Sequence, residues 1–149
     1  MTAHPAPATD SAPRSSAEAL PDPAALITLG HPMMDHDHAE ALALLAAAEA
    51  TPPGALAPAF AALADHLRAH FAREEALMAE TGFFAQHCHS AEHARLLAVF
   101  ANLQATLTPH HESPARTYLR SAFPSWFDTH LVTMDRVTAG FLMGGDGDF

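Results

Sequence analysis

The sequence contains no lysine, one cysteine and one tryptophan among its 149 residues. Its seven basic residues are all arginines, and 17 acidic residues give it a formal net charge of −10 at pH 7. Binding to nucleic acid or to an anionic membrane surface depends on clustered basic side chains, so this balance argues against both. Cys88 alone cannot form an internal disulfide, which fits a reducing compartment.

Long apolar runs and a leader segment are also missing. No stretch approaches the roughly 20 apolar residues that span a bilayer. The N-terminus has no basic segment followed by an apolar core, so no secretion signal is predicted. We therefore expect a cytoplasmic protein that has neither nucleic acid nor a membrane as a partner.

The two ends of the chain differ in composition from the rest. Residues 1–24 are rich in Ala, Pro and Ser without a periodic apolar face, which predicts a disordered, flexible tail. The final "GGDGDF", residues 144–149, predicts a flexible end because its glycines stop the preceding helix. One folded domain is predicted between them, over residues 25–143.

Within that domain the apolar residues recur at helical spacing only. The helical segments cover about 35–50, 56–80, 85–107 and 113–143, and "TPPG", "TGFF" and "TPHHES" separate them. Short connections favour antiparallel neighbours, so the sequence predicts an all-α, up-down-up-down antiparallel four-helix bundle. Pro124 lies inside the fourth segment and should kink or restart that helix.

Polar residues replace leucines within the core-facing stripes of these helices. The second stripe runs through Leu67 to His70 and Glu74, and the third begins with His89 and His93. A single histidine pair of this kind is equally well explained by hydrogen bonds across the core. Two pairs on neighbouring helices favour a metal site.

Two further helices contribute residues of the same type. His38 begins the stripe of the first segment, and His130 continues that of the fourth, with Asp135 five residues later. Five residues turn about 140° beyond one full revolution of an α-helix. The spacing therefore predicts either a π-bulge between His130 and Asp135 or an aspartate that approaches from the flank of the helix.

Five histidines and two carboxylates indicate the class of metal. Structural zinc takes four ligands, usually including cysteines, and would leave three of these groups unused. Calcium and magnesium prefer oxygen. A nitrogen-rich set with carboxylates that can bridge suits two octahedral transition ions, with iron as the leading choice. The Glu-x-x-His pattern of carboxylate-rich di-iron bundles is missing from the sequence.

The chain resembles the hemerythrin family over roughly residues 30–142. Four stretches carry the resemblance in order: "MMDHDHAE", "HFAREEALM", "HSAEH" and "WFDTHLVTMD". They contain His, His-x3-Glu, His-x3-His and His-x4-Asp. The family usually also has a tryptophan in the segment that leads into the first helix, whereas "ALITLGHPMMD" has none.

The resemblance implies a ligand set and a function. His89, His93 and His130 would hold one iron, and His38 and His70 a second iron with an open position. Glu74, Asp135 and a solvent-derived oxo or hydroxo group would bridge them, and dioxygen would bind reversibly at the open position. Phe71 and Trp126 are expected to line a dry ligand pocket, although both are also ordinary core residues.

Two other functions stay open at the level of sequence. A di-iron enzyme on the same scaffold would act on peroxide, nitric oxide or ferrous iron, and a proton donor such as His36 or Asp35 beside the open iron would favour it. A metal-buffering protein would hold zinc or nickel weakly. An oxygen-binding carrier, store or sensor rather than an enzyme is the preferred hypothesis, as a monomer or weak homo-oligomer with an unidentified electron donor.

His66 and His87 are predicted to lie outside the site, and His66 is predicted to lie at the surface.

Overall fold

Four antiparallel helical arms form the protein in the computed structural model, which describes residues 28–144. The predicted tail and the chain beyond residue 144 lie outside the described residues. The first three arms are α1 (Pro32–Glu49), α2 (Leu56–Thr81) and α3 (Gln86–Thr106). The fourth arm consists of α4 (Ser113–Arg120), α5 (Ala122–His130), a π-helical turn (Leu131–Asp135) and α6 (Arg136–Leu142). The all-α four-helix prediction is confirmed.

Residues beside the helix ends explain where the helices begin and stop. Pro32 occupies the first position of α1, and the His31 ring nitrogen accepts a hydrogen bond from the Met34 amide. Gly82 follows α2 with φ of 66°, a left-handed conformation that lets the chain turn away at little steric cost. Within residues 28–144, no helix combines the length and apolar character that crossing a bilayer requires.

The N-terminus of α2 is capped from the fourth arm. The Leu56 amide donates to Glu112 Oε1 at 2.9 Å, and Arg116 Nε donates to Glu112 Oε2 at 2.9 Å. These contacts lower the pKa of Glu112, the Leu56 amide most strongly, against a smaller opposing effect of burial. The first amides of a helix have no partner within the helix, and here the Leu56 amide at the start of α2 is paired with Glu112, which is distant in sequence.

The fourth arm is broken where proline predicts it. Ser121 has φ −128° and ψ −67°, which separates α4 from α5, and Pro124 occupies the third position of α5. Pro124 has no amide to donate to the Arg120 carbonyl, and its ring would clash with that carbonyl in a continuous helix. The predicted restart is confirmed.

The interior changes character along the bundle axis. Phe60, Phe100 and Phe123 are fully buried at one end; the first two stack with centroids 5.1 Å apart, and Phe123 meets Phe100 edge-on at 5.3 Å. Toward the other end the interior holds buried imidazoles and carboxylates, and beyond them Met34, Met78 and Phe83 are also buried. The aromatic end stabilises the fold by ordinary apolar burial, which leaves the second end available for polar groups.

Candidate metal centre

The structure brings together all seven residues that were singled out as metal ligands. α1 contributes His38, α2 His70 and Glu74, α3 His89 and His93, and the fourth arm His130 and Asp135. None of them is more than 5% exposed. Buried ionisable groups at this density need strong mutual compensation, since each isolated one would cost several kcal/mol.

Three histidines form the larger group. His130 Nε2 lies 3.0 Å from His89 Nε2 and 3.2 Å from His93 Nε2. Asp135 Oδ1 lies 3.0 Å from His130 Nε2 and 3.1 Å from His89 Nε2. Neighbouring ligands of one octahedral ion with bonds of about 2.1 Å are separated by similar distances.

Two histidines form the smaller group. His38 and His70 meet edge-on with ring centroids 5.0 Å apart, and His38 Nε2 lies 3.0 Å from Asp135 Oδ2. Donor atoms of His38, His70 and Asp135 all lie within 4.8 Å of one another. This group therefore offers one imidazole fewer than the larger group.

Both carboxylates extend between the two groups. Asp135 presents Oδ1 to His89 and His130 and Oδ2 to His38. Glu74 Oε1 lies 3.1 Å from His89 Nε2, and Glu74 Oε2 lies 3.3 Å from His70 Nε2. Each carboxylate can thus offer one oxygen to a cation in each group.

The π-helical turn explains how Asp135 reaches the site. In an i→i+5 turn, residue i+5 lies over residue i, as residue i+4 does in an α-helix. The turn over Leu131–Asp135 therefore directs Asp135 to the same interior face as His130. The first of the two predicted alternatives, a π-bulge, is confirmed.

Three of the histidine rings are held from outside by partners that the sequence pattern does not indicate. His70 Nδ1 bonds Asp37 Oδ2 at 3.0 Å, His93 Nδ1 bonds Glu75 Oε1 at 3.1 Å, and His89 Nδ1 bonds Thr138 Oγ1 at 2.8 Å. Asp37 and Glu75 are each adjacent in sequence to a predicted ligand, which is the only signal they carry.

These outer bonds determine which ring nitrogens point inward with lone pairs. An ionised carboxylate only accepts, so Nδ1 of His70 and of His93 must donate to Asp37 and Glu75. Each Nε2 then presents a lone pair to the interior, where two carboxylates also converge. Both nitrogens of His38 and both oxygens of Glu74 are buried without a hydrogen-bond partner. Lone pairs of several nitrogens and oxygens that point at one another are stable only around cations, so these residues fit a metal site.

The electrostatics of the site agree with that conclusion. Burial, followed by the neighbouring Asp135 charge, raises the pKa of Glu74 well above its usual value. Burial also opposes ionisation of Asp135, but its close contacts with His130, His38 and His89 outweigh burial and lower its pKa well below the usual value. Burial and the nearby His89 and His130 lower the pKa of His93 to about 2, which keeps this imidazole neutral and able to bind a metal.

Aromatic rings cover the histidines. Phe71 stacks on His93 with centroids 3.9 Å apart, Trp126 stacks on His130 at 4.4 Å, and Phe127 meets His38 edge-on at 5.7 Å. Phe71 is buried and Trp126 partly buried. Both predicted pocket residues thus lie against ligand-type rings, where they restrict ring rotation and access of water.

The remaining histidines divide as follows. His87 is exposed, outside the cluster, as predicted. The prediction that His66 lies at the surface is wrong, because its side chain is only 9% exposed. Its Nε2 donates to the Asp37 carbonyl oxygen at 2.8 Å, a contact between α2 and α1 that helical periodicity alone does not show.

Comparison with known proteins agrees with the geometry. The family model described as "Hemerythrin HHE cation binding domain" matches residues 29–142. The chain is 31% identical over 114 residues to a protein from Ralstonia nicotianae named bacteriohemerythrin, an alignment that covers 76% of this chain and 82% of that protein. No solved structure gave a significant match.

Proposed function

The chain belongs to the hemerythrin family, and from that premise we propose that it binds dioxygen reversibly at a di-iron centre. The name of the Ralstonia relative supports an oxygen-binding role rather than another use of the same bundle. The proposed ligands are the seven clustered side chains, with Glu74, Asp135 and a solvent-derived oxo or hydroxo group as bridges: His38, His70, Glu74, His89, His93, His130 and Asp135.

The unequal division of imidazoles carries the proposal. Three histidines converge on one side of the two carboxylates and only two on the other. If both ions share the same bridges, the ion held by His38 and His70 has one coordination position left for an exogenous ligand. This asymmetry favours ligand binding over a purely structural metal site.

The donor set favours reversible binding. A bound pair of ferrous ions would supply the two electrons that dioxygen takes up. The chain supplies five imidazoles and only two carboxylates, and burial lowers the pKa of the His93 imidazole to about 2, which favours its neutral form. Less negative charge on the ligands leaves the metals more electron-poor, which we expect to favour release of the bound ligand over cleavage of the oxygen–oxygen bond.

The surroundings of His38 favour a carrier over an enzyme. The Asp35 carboxylate accepts hydrogen bonds from the Leu29 and Gly30 amides at 2.7 and 2.9 Å, so it is engaged in the turn before α1. The His36 side chain is 77% exposed. Neither residue is therefore placed to deliver a proton to a ligand at the buried side of His38, while Phe127 covers that ring with an apolar edge.

Optical spectroscopy with iron analysis tests the proposal. Spectra would be recorded as isolated, after anaerobic reduction, after admission of air and then under argon. We expect two irons per chain and a charge-transfer band that bleaches on reduction, returns in air and disappears again under argon. His93→Ala should lose iron and the band, whereas His87→Ala, which removes an exposed histidine, should keep both.

Other outcomes would contradict the proposal in different ways. A band that returns in air but never reverses, with consumption or release of peroxide, would indicate a di-iron enzyme. If His93→Ala retains iron as His87→Ala does, the seven side chains do not form the iron centre. Weak binding of variable metals would indicate metal buffering.

A further inference from the structure

We propose that the protein has a second cation site, at its surface, formed by His36, Glu40 and His66. It would take one divalent ion of borderline character such as Zn²⁺ or Fe²⁺. These three residues lie outside the seven that form the proposed di-iron centre, and the inference does not depend on what that centre does.

The geometry places two histidines next to the Glu40 carboxylate. His36 Nε2 and His66 Nδ1 each lie 3.7 Å from Glu40 Oε2. His36 and Glu40 are four residues apart on α1 and share a face, while His66 reaches them from α2. A carboxylate oxygen of Asp37 also lies within 4.8 Å of ligand atoms of His36 and Glu40.

The state of the His66 ring is the observation that points to a ligand. Its Nε2 is 2.8 Å from the Asp37 carbonyl oxygen, which can only accept, so Nε2 carries the proton. In the neutral ring, Nδ1 then holds a lone pair that faces Glu40 Oε2. The His66 side chain is only 9% exposed, and its Nδ1 lies 3.7 Å from Glu40 Oε2, beyond hydrogen-bond distance. A divalent cation placed between Nδ1 and Glu40 Oε2 would be bound by both atoms.

Side-chain exposure makes the site adaptable. His36 is 77% and Glu40 52% exposed, so both can change rotamer to close around an ion, while His66 is fixed by its bond to α1. Two imidazoles and one carboxylate, with the remaining positions open to water, form a donor set used by zinc and by ferrous iron. Calcium and magnesium are disfavoured because two of the three donors are nitrogen.

This site is separated from the buried centre by Asp37. Asp37 Oδ2 is engaged by His70 and Arg73, so its charge serves mainly the inner side. Both sites thus include residues of α1, but no residue is a proposed ligand of both. An ion at the surface site should bind with the di-iron centre already filled.

Calorimetric titration of the iron-loaded, full-length protein with Zn²⁺ tests this site, with iron measured before and after. We expect one zinc per chain in addition to retained iron. His36→Ala and Glu40→Gln should each weaken zinc binding by at least about tenfold, the loss caused even by removal of an outer partner of a metal ligand. Both residues are exposed, so these variants should fold normally.

Two further variants make the result specific. His66→Gln keeps a donor for the Asp37 carbonyl but lacks the Nδ1 lone pair, and it should weaken zinc binding to a similar extent. His110→Ala removes an exposed histidine from the loop between α3 and α4 and should have no effect. Equal zinc binding by wild type, His36→Ala and Glu40→Gln would overturn the proposal, as would zinc uptake that only displaces iron.

Discussion

At the scale of single residues, the Asp37 carboxylate joins a predicted ligand to an arginine. Its Oδ2 accepts from His70 Nδ1 at 3.0 Å and from Arg73 Nε and Nη2 at 3.0 and 2.7 Å. Burial opposes its ionisation, but these hydrogen bonds lower its pKa, so the carboxylate stays charged. A fixed negative charge behind His70 orients the ring and increases its basicity toward a metal.

We therefore predict that Asp37→Asn weakens iron binding without unfolding the protein. A neutral amide is a poorer acceptor for both His70 and Arg73, and removal of such an outer partner reduces metal affinity by about 10–100-fold. Competition with a ferrous chelator would measure the change, and circular dichroism would check that the helices remain.

Glu75→Gln is the matched control, because Glu75 has the same relation to His93 but its side chain is 37% exposed. Solvent screens that contact, so we expect a clearly smaller loss of affinity. If both variants lose iron affinity equally, or if Asp37→Asn loses none, burial of the outer carboxylate does not determine its effect on iron affinity.

At the scale of elements, the π-helical turn is the feature on which the site depends most. It adds one residue between His130 and Asp135 relative to the four-residue spacing that brings two α-helical side chains to one face. Val132 is 39% exposed within this turn. Its side chain is therefore not required for the buried cluster.

Deletion of Val132 should convert the π-helical turn into a regular α-helical turn and preserve the site. Asp135 would then follow His130 by four residues and still point inward, with Thr138 at an unchanged distance from Asp135 in sequence. We predict that iron stoichiometry and the circular dichroism spectrum stay close to those of the wild type. Iron analysis of purified protein would check this.

Deletion of Asp128, an exposed residue in the regular helix α5, provides the comparison. The deletion should rotate His130 by about 100° about the helix axis relative to the part of α5 that precedes residue 128. The reason is that α5 is a regular α-helix without an extra residue. Iron should then be lost. If both deletions retain iron, or both lose it, the interpretation of the π-helical turn as one inserted residue is wrong.

Sequence patterns predicted the elements closely, and the reasons are local. Helical periodicity and the breakers "TPPG" and "TGFF" indicated helix ends within about three residues of those observed, because these signals act on the chain nearby. The Glu112 cap on Leu56 and the outer partners Asp37, Glu75 and Thr138 were not predicted. Each is a contact between different helices, and periodicity carries no information about which flank of a helix meets its neighbour.

At the scale of the whole molecule, the bundle joins two ends with opposite physical requirements. Phe60, Phe100 and Phe123 pack together at the aromatic end, within the apolar cluster of the bundle. The polar end holds seven buried ligand-type side chains whose lone pairs converge. We infer that the aromatic end carries most of the stability and that the polar end depends on bound metal, because a ligand that binds only the native state stabilises it.

Metal removal should therefore loosen one end of the bundle more than the other. Without cations, unpaired lone pairs and two close carboxylates remain buried, at a cost of about 1–3 kcal/mol for each unsatisfied group. In the apo-protein we expect faster amide exchange around residues 70–74, 89–93 and 130–138, measured by hydrogen–deuterium exchange. The segments around Phe60 and Phe100 should stay protected. Uniform loss of protection would contradict this division.

The reciprocal variant, Phe100→Ala, should destabilise the protein and leave the metal in place. Phe100 is fully buried, and truncation of such a ring costs about 3–5 kcal/mol through lost contacts and the cavity left behind. None of the aromatic contacts of Phe100 involves a ligand-type histidine; its ring partners are Phe60, Tyr118 and Phe123. Denaturant unfolding of the iron-loaded variant should thus show a large fall in the free energy of unfolding, with two irons per chain retained at low denaturant. Loss of iron from the folded variant would mean that the aromatic end positions the ligands and that the two ends are not separable.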